Sequence, residues 1–378
     1  LKRFEAYNWH VQWIDGHDRT AIEAAIKKAQ DVTEKPSLIA CRTHIGFGSP
    51  NKQDTAGAHG APLGPEEVKL TKAAYGWKWE EPFYIPEEVL PVFGEVLKTG
   101  QDLEAEWSKA IAEFEKGNPE KGKEFKLMST GELPEDWGRN LPVFSSDDGS
   151  LATRAASGKV LNAIASNIPN LVGGSADLSP SNNTFLKECT VFSGKNYTGR
   201  NFHFGVREHG MASVMNGMAL HSGLIPYGGT FLVFSDYMRP SVRLAAMMGL
   251  KVIYVFTHDS IGLGEDGPTH QPIEHLASLR IIPNLTVIRP CDANETTRAW
   301  RYALEQNEGP VALALTRQKV LTLDRNQFSD ADGLYKGAYV LNENDVENPD
   351  VILISSGSEV QIALEAAGKL VERNIRAR

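Results

Sequence analysis

The feature that most constrains this chain is the apolar run LKVIYVF, Leu250 to Phe256, which opens directly into FTHDSIGLGEDGPTHQP, Phe256 to Pro272. The run is β-branched and aromatic, with the length of a strand buried on both faces, as strands of parallel sheets are. Beyond it Gly262, Gly264 and Gly267 turn the chain, and Pro268 restricts φ. His258, Asp266 and His270 therefore fall past a strand's carboxyl end, where open α/β sheets bind ligands. Ordinary polar connections seldom join so many glycines to paired imidazoles. The stretch reads as a site.

A chain of 378 residues exceeds what one core holds, so two or three domains are expected. Its 41% hydrophobic and 23% charged residues fit a soluble globular class. A net charge of −9 argues against nucleic acid and against an anionic membrane as partners. Cys41, Cys189 and Cys291 are isolated, without metal spacing, which points to a reducing, cytoplasmic setting. No apolar run approaches membrane-spanning length and no signal peptide is read at the start. The first residue is Leu1 rather than Met, and Arg378 follows a single helix, so a fragment at both ends is expected.

Taken in order, HVQWI, DRTAIEAAIKKAQ and SLIACRT predict a β-α-β unit with parallel, buried strands. The glycine-rich loop HIGFGSPNKQDTAGAHGAPLG follows, carrying His44 and His59, and Pro65 then opens a helix at a position that suits proline. His44 reads as a solvated loop residue. Residues 77–150, rich in Trp, Pro and charge runs around a helix near 102–116, read as an interdomain connection ending at SSDDGS. From Leu151 helices and strands alternate again: LATRAASGKVLNAIAS as a helix, NLVGGS as a strand, DLSPSN as a turn-rich loop. Arg154 would sit in a helix's first turn, an unfavourable place for a cation unless an anion is near. FHFGV leads into a helix whose first turn holds Arg207 and Glu208, and a glutamate there complements the helix dipole. Phe231, Phe234 and Tyr237 are spaced by three, which predicts one helical face and would ordinarily mean core. NLTVI, ETTRAWRYALEQ and VALALTRQ continue the alternation, the polar stretch 319–349 marks a second boundary, and DVILISSGSEV opens a third α/β unit. SSGSEV lacks the glycine spacing of a dinucleotide fingerprint.

THDSIGLGEDGPTHQP closely resembles the signature of the transketolases, and AHGAPLG, TRAAS, SADLSPSN and GVREHGM resemble further segments of that family. The resemblance covers essentially the whole chain. It implies a thiamine-diphosphate-binding fold of parallel-sheet α/β domains with helices on both faces. Residues 1–120 would be the last part of the pyrophosphate-binding domain with its linker, 121–325 the pyrimidine-binding domain, and 326–378 the start of the carboxy-terminal domain. The activity implied is transfer of a two-carbon ketol unit between sugar phosphates, in the pentose phosphate pathway or Calvin cycle.

By the same resemblance Glu208, His59 and His270 are catalytic, with Glu208 hydrogen-bonded to the aminopyrimidine ring of thiamine diphosphate. Phe231, Phe234, Tyr237 and Asp177, together with Glu208 and His59, would contact that cofactor. Arg154, Ser181 and Arg317 would hold the substrate phosphate, while His258, Asp266 and His270 read the sugar. The family's GDG motif for Mg2+ or another divalent cation does not occur in this sequence, so no metal ligand is assigned and the chain alone is expected to be inactive. A homodimer with its site between subunits is implied. Dihydroxyacetone synthase and a non-catalytic transketolase-like subunit remain as alternative readings; deoxyxylulose-phosphate synthase is disfavoured by the HGAPLG segment.

Overall fold

The computed structural model describes residues 1–342 and 348–378, so residues 343–347 of the polar stretch 319–349 lie outside the described residues. The chain forms two compact units, Leu1–Trp107 and Ser108–Arg378.

In the first unit a short helix α1 (Lys2–Ala6) precedes β1 (His10–Asp15), α2 (Arg19–Gln30) and β2 (Ser37–Arg42), and β1 and β2 pair in parallel. Asp18 starts α2 as its N-cap, its Oδ1 accepting from the amides of Thr20 and Ala21 at 2.9 and 3.2 Å. The β-α-β reading holds, but β2 is only half-buried, with Cys41 and Arg42 exposed, rather than buried on both faces. α3 (Pro65–Ala74) has Pro65 in its first turn, as expected. The predicted helix near 102–116 is the second half of a longer one, α4 (Leu90–Gly117), within which the first unit ends, and α5 (Pro119–Thr130) already belongs to the second unit.

The second unit is a six-stranded parallel sheet ordered β4-β3-β5-β6-β8-β7. Its strands are β3 (Leu171–Ser175), β4 (Asn201–His203), β5 (Ile225–Phe231), β6 (Ile253–Thr257), β7 (Thr286–Ile288) and β8 (Val311–Leu315). Between them run α6 (Thr153–Ala165), α7 (Ser179–Asn182), α8 (Glu208–His221), α9 (Ser235–Met247), α10 (His275–Arg280) and α11 (Ala293–Glu305), with α12 (Glu359–Val371) last.

Strand periodicity explains the two cores. Ile253 and Val255 of β6 face a cluster with Val160, Leu161 and Ile164 of α6 and Trp300 of α11. Tyr254 and Phe256 point the other way, into Met211 and Met215 of α8 and Val242 and Ala245 of α9. Helices on both faces thus make β6 continuously apolar, which is why its run was legible. At Gly173 and Gly174 an added Cβ would lie 2.0 Å from the Tyr227 carbonyl oxygen and 1.9 Å from that of Phe202, so β3 depends on glycine for its neighbours' close approach.

Several local expectations differ. SPSN is the one-turn helix α7, not a loop. Arg207 is the N-cap of α8 and Glu208 its first residue. Within DVILIS only Val351 pairs, through one bridge to Ala377. Among the described residues no helix is long and apolar enough to cross a membrane.

Candidate active site

The register of the sheet brings the sequence-predicted residues of the second unit to one edge. Phe231, the last residue of β5, aligns with Thr257, the last of β6, and Thr257 aligns with Leu315, the last of β8. His258, Arg317 and the loop after β3 with Asp177 and Ser181 follow directly from these ends.

The two arginines are brought together by a pair of threonines. The Thr153 amide donates to Thr316 Oγ1 at 2.9 Å and the Thr316 amide to Thr153 Oγ1 at 2.7 Å, both groups buried. Arg154 and Arg317, each next in sequence, are thereby neighbours. Burial, then the Arg317 charge, pushes the Arg154 guanidinium below its usual range. Arg154 Nη1 donates to the Ser181 carbonyl at 2.9 Å, which anchors the predicted loop through its backbone. Arg317 lies 2.8 Å from Glu265 and 3.6 Å from Asp266, acidic residues of the central loop. Arg317 already has carboxylate partners, whereas Arg154 has none among the described residues and its guanidinium suits an anion such as phosphate.

His258 lies against Phe231. It is 2% exposed, and its ring lies 3.7 Å from that of Phe231. Its Nε2 stands 3.9 Å from Asp266 Oδ2. Burial pushes His258 down to about 4, helped by the charges of Arg154, Arg317 and His270 and opposed by Asp266. His270 stands edge-on to Phe231 and Phe234, centroids 5.9 and 5.3 Å away, and its Nδ1 is 2.9 Å from Thr269 Oγ1.

Phe231, Phe234 and Tyr237 form a ladder of near-parallel rings 5.8 and 5.9 Å apart. The expected single helical face is corrected: Phe231 ends β5, Phe234 lies in a 3-10 turn, and only Tyr237 is in α9. The rings align because strand, turn and helix continue without a loop. Phe231 is buried and Tyr237 is 65% exposed, so the ladder runs from the core to an open end.

The remaining predicted residues are Glu208, Asp177 and His59. Glu208 begins α8, half-buried, and makes no hydrogen bond or ion pair with the other candidates among the described residues. Asp177 is exposed in the left-handed region at φ 61, an unusual conformation for a non-glycine residue. His59 belongs to the first unit, exposed after the short turn Ala56–Ala58. Its loop is tied by Glu67, whose carboxylate accepts from Ser49 Oγ at 2.5 Å and from the amide and Nδ2 of Asn51 at 2.8 Å. His44, read as solvated, is exposed but 2.9 Å from Asp54.

Sequence reasoning missed Asn182, Thr257, Glu265, Thr153 and Thr316. Asn182 and Thr257 lie inside SADLSPSN and THDS, but the contact between them spans 75 positions and has no local signal.

Comparison with known proteins defines first a class. Models of three transketolase domains match the chain: the thiamine diphosphate binding domain over residues 1–134, the pyrimidine binding domain over 149–321, and a transketolase-like C-terminal domain over 337–378. The transketolase of Bacillus subtilis is 52% identical over 99% of this chain and 56% of its own length. The chloroplastic transketolase of Craterostigma plantagineum is 49% identical over 97% of the chain and 70% of its own. The structure of Pichia stipitis transketolase in complex with sedoheptulose-7-phosphate superposes with a TM-score of 0.93 at 42% identity, over 100% of this chain and 56% of that one. The chain belongs to the transketolase family. It spans about half the length of most of the curated relatives it matches first.

Proposed function

We propose that this chain acts within a transketolase that moves a two-carbon ketol unit from a ketose phosphate, such as xylulose 5-phosphate, to an aldose phosphate, such as ribose 5-phosphate. The observation that carries the reading is the single cluster in which Arg154 and Arg317 adjoin Asp266, His258 and a ladder of aromatic rings. One end of that cluster suits a phosphate, the middle suits hydroxyl groups, and the other end suits a flat heterocycle.

Phe231, Phe234 and Tyr237 fit the pyrimidine of thiamine diphosphate, since stacked rings favour a flat partner beyond what area burial gives. When bound, that cofactor supplies the electron sink for a carbanion, chemistry that no side chain provides. Glu208 would hydrogen-bond the pyrimidine nitrogen, and Asp177 would contact the same group. Arg154 and Arg317 hold the distal phosphate charge, with Ser181 beside them. His258 and Asp266 orient the sugar hydroxyl groups. His270 and His59 hold or move protons at the substrate oxygens. Positioning of this kind lowers the barrier by fixing reacting groups in place.

Magnesium or another divalent cation, as in the family, is assigned no ligand here. Residues 1–120 would serve as part of the pyrophosphate-binding domain, 121–325 as the pyrimidine-binding domain, and 326–378 as the start of the carboxy-terminal domain. A homodimer is supported by α8 and α9, where Val214, Leu220, Leu244 and Met247 are exposed apolar residues. A cytoplasmic place in the pentose phosphate pathway or Calvin cycle completes the reading.

The test is a coupled assay of the complete enzyme with xylulose 5-phosphate as donor, offering ribose 5-phosphate or formaldehyde as acceptor. Ketol transfer to ribose 5-phosphate supports the reading. Transfer to formaldehyde alone would assign a dihydroxyacetone synthase instead, and no transfer would leave a non-catalytic subunit.

A further inference from the structure

His258 is held from behind by a chain of buried hydrogen bonds. Asn182, at the end of α7, is fully buried, and its Nδ2 donates to Thr257 Oγ1 at 2.7 Å. Thr257, also fully buried, has its Oγ1 2.9 Å from His258 Nδ1. Consecutive residues of a strand point to opposite faces, so this neighbour contact needs a break in the pattern. His258 supplies it with φ 60, in the left-handed region that non-glycine residues seldom enter.

The direction of the protons follows from counting donors. A threonine hydroxyl has one proton and two lone pairs. An Asn182 N–H occupies one lone pair, and among the described residues Thr257 Oγ1 has no third partner. Its own proton therefore goes to His258 Nδ1, which must be the unprotonated nitrogen. The alternative, with Nδ1–H also donating to Thr257, would strand the hydroxyl proton in a buried place. Reversing the whole chain, with the Asn182 amide turned over, would aim an Nε2 lone pair at the Asp266 carboxylate. In the forward direction Nε2–H faces Asp266 Oδ2, a buried oxygen with no hydrogen-bond partner among the described residues.

We propose that Asn182 and Thr257 are positioning residues that hold the ring proton of His258 on Nε2, making His258 an obligate hydrogen-bond donor to a substrate hydroxyl. Nε2 and Asp266 Oδ2 are 3.9 Å apart, so one hydroxyl oxygen can accept from the imidazole while its proton is given to the carboxylate. This last step rests on the sugar-phosphate reading above; the tautomer does not.

Long-range 1H–15N NMR on the protein labelled at histidine, with the His258 signals assigned by difference against His258→Asn, reads the tautomer without substrate. At neutral pH the wild type is expected to show Nδ1 unprotonated and Nε2 protonated. Thr257→Val, which keeps the shape and removes the donor, should give a mixture of tautomers, and Thr257→Ser should restore the original pattern. A wild-type Nδ1–H tautomer, or an unchanged tautomer in Thr257→Val, overturns the relay; if that variant does not fold, the wild-type spectrum decides alone. In the complete enzyme Thr257→Val should lower kcat/KM for ribose 5-phosphate about tenfold, one hydrogen bond's worth. Its effect on an acceptor lacking the bridging hydroxyl should be smaller, and equal loss for both would refute the donor role. An Nε2–H tautomer in a protein without ketol transfer would sink the proposed function and leave the relay standing.

Discussion

Arg289 Nε lies 2.7 Å from Asp259 Oδ2, a carboxylate whose side chain is fully buried, immediately after His258 in sequence. The same guanidinium donates to the Ser356 carbonyl at 3.0 Å and pairs with Glu359, the first residue of α12. A glycine is needed at 357, where φ is 61 and an added Cβ would meet the Arg289 side chain at 2.6 Å. The loop that carries His258 is thus coupled to the start of α12 through one side chain.

Replacing Arg289 by Met should destabilise the protein by about 3–5 kcal/mol, because it leaves the Asp259 charge buried without a partner. The double variant Arg289→Met with Asp259→Asn should recover a large part of that loss. Urea unfolding of the single and double variants measures both. A single variant within about 0.5 kcal/mol of wild type would show that the pair is not a buried one in solution.

Glu208 offers a test of chemistry free of packing. It opens α8 without a hydrogen bond to other candidates among the described residues, so Glu208→Gln should leave thermal stability nearly unchanged. In the complete enzyme turnover should fall by roughly 10²–10⁴, as for general acid–base groups. Near-normal turnover in a stable variant removes Glu208 from the proposed mechanism.

What was legible in the chain reflects where its physics is local. β6 and its loop declared themselves because a strand covered on both faces must be apolar throughout. Pro65 marked a helix start through short-range chemistry. The spacing of Phe231, Phe234 and Tyr237 gave the right neighbours for the wrong reason, since three kinds of backbone share the ladder. The Thr153–Thr316 pair spans 163 positions, and nothing near either threonine announces the other. Proton direction at His258 was equally invisible, because it depends on a buried amide from a different segment.

The pH dependence of stability has a definite sign at His258. Its folded pKa is pushed down to about 4, below the ~6.5 of an unfolded histidine. Between those values the unfolded chain takes up a proton that the folded protein refuses, so stability falls as pH drops from about 6.5 towards 4 and levels off below. Asparagine tolerates the left-handed backbone, so His258→Asn isolates this contribution. Urea midpoints at neutral pH and at a pH between the two values should draw closer together in the variant. An identical loss in both proteins would mean that His258 protonates freely in the fold.

The arginine pair separates phosphate recognition from folding. Arg154 is half-buried beside Arg317, each reached through a buried threonine rather than through the core. Arg317 also holds Glu265 and Asp266, whereas Arg154 holds the Ser181 carbonyl. Removing Arg154 by alanine should therefore act mainly on affinity for a phosphorylated sugar. A lost charge-assisted hydrogen bond of about 1.5–3 kcal/mol predicts a rise of roughly tenfold to a hundredfold in its KM. Arg317→Ala should do the same and also loosen the central loop, since two carboxylates lose their cation. Hydroxypyruvate, a donor without phosphate, should be used by the Arg154 variant almost as well as by the wild type. Steady-state kinetics with both donors on the complete enzyme tests this directly. Equal losses for phosphorylated and unphosphorylated donors would show that Arg154 supports the loop through Ser181 and takes no part in binding phosphate.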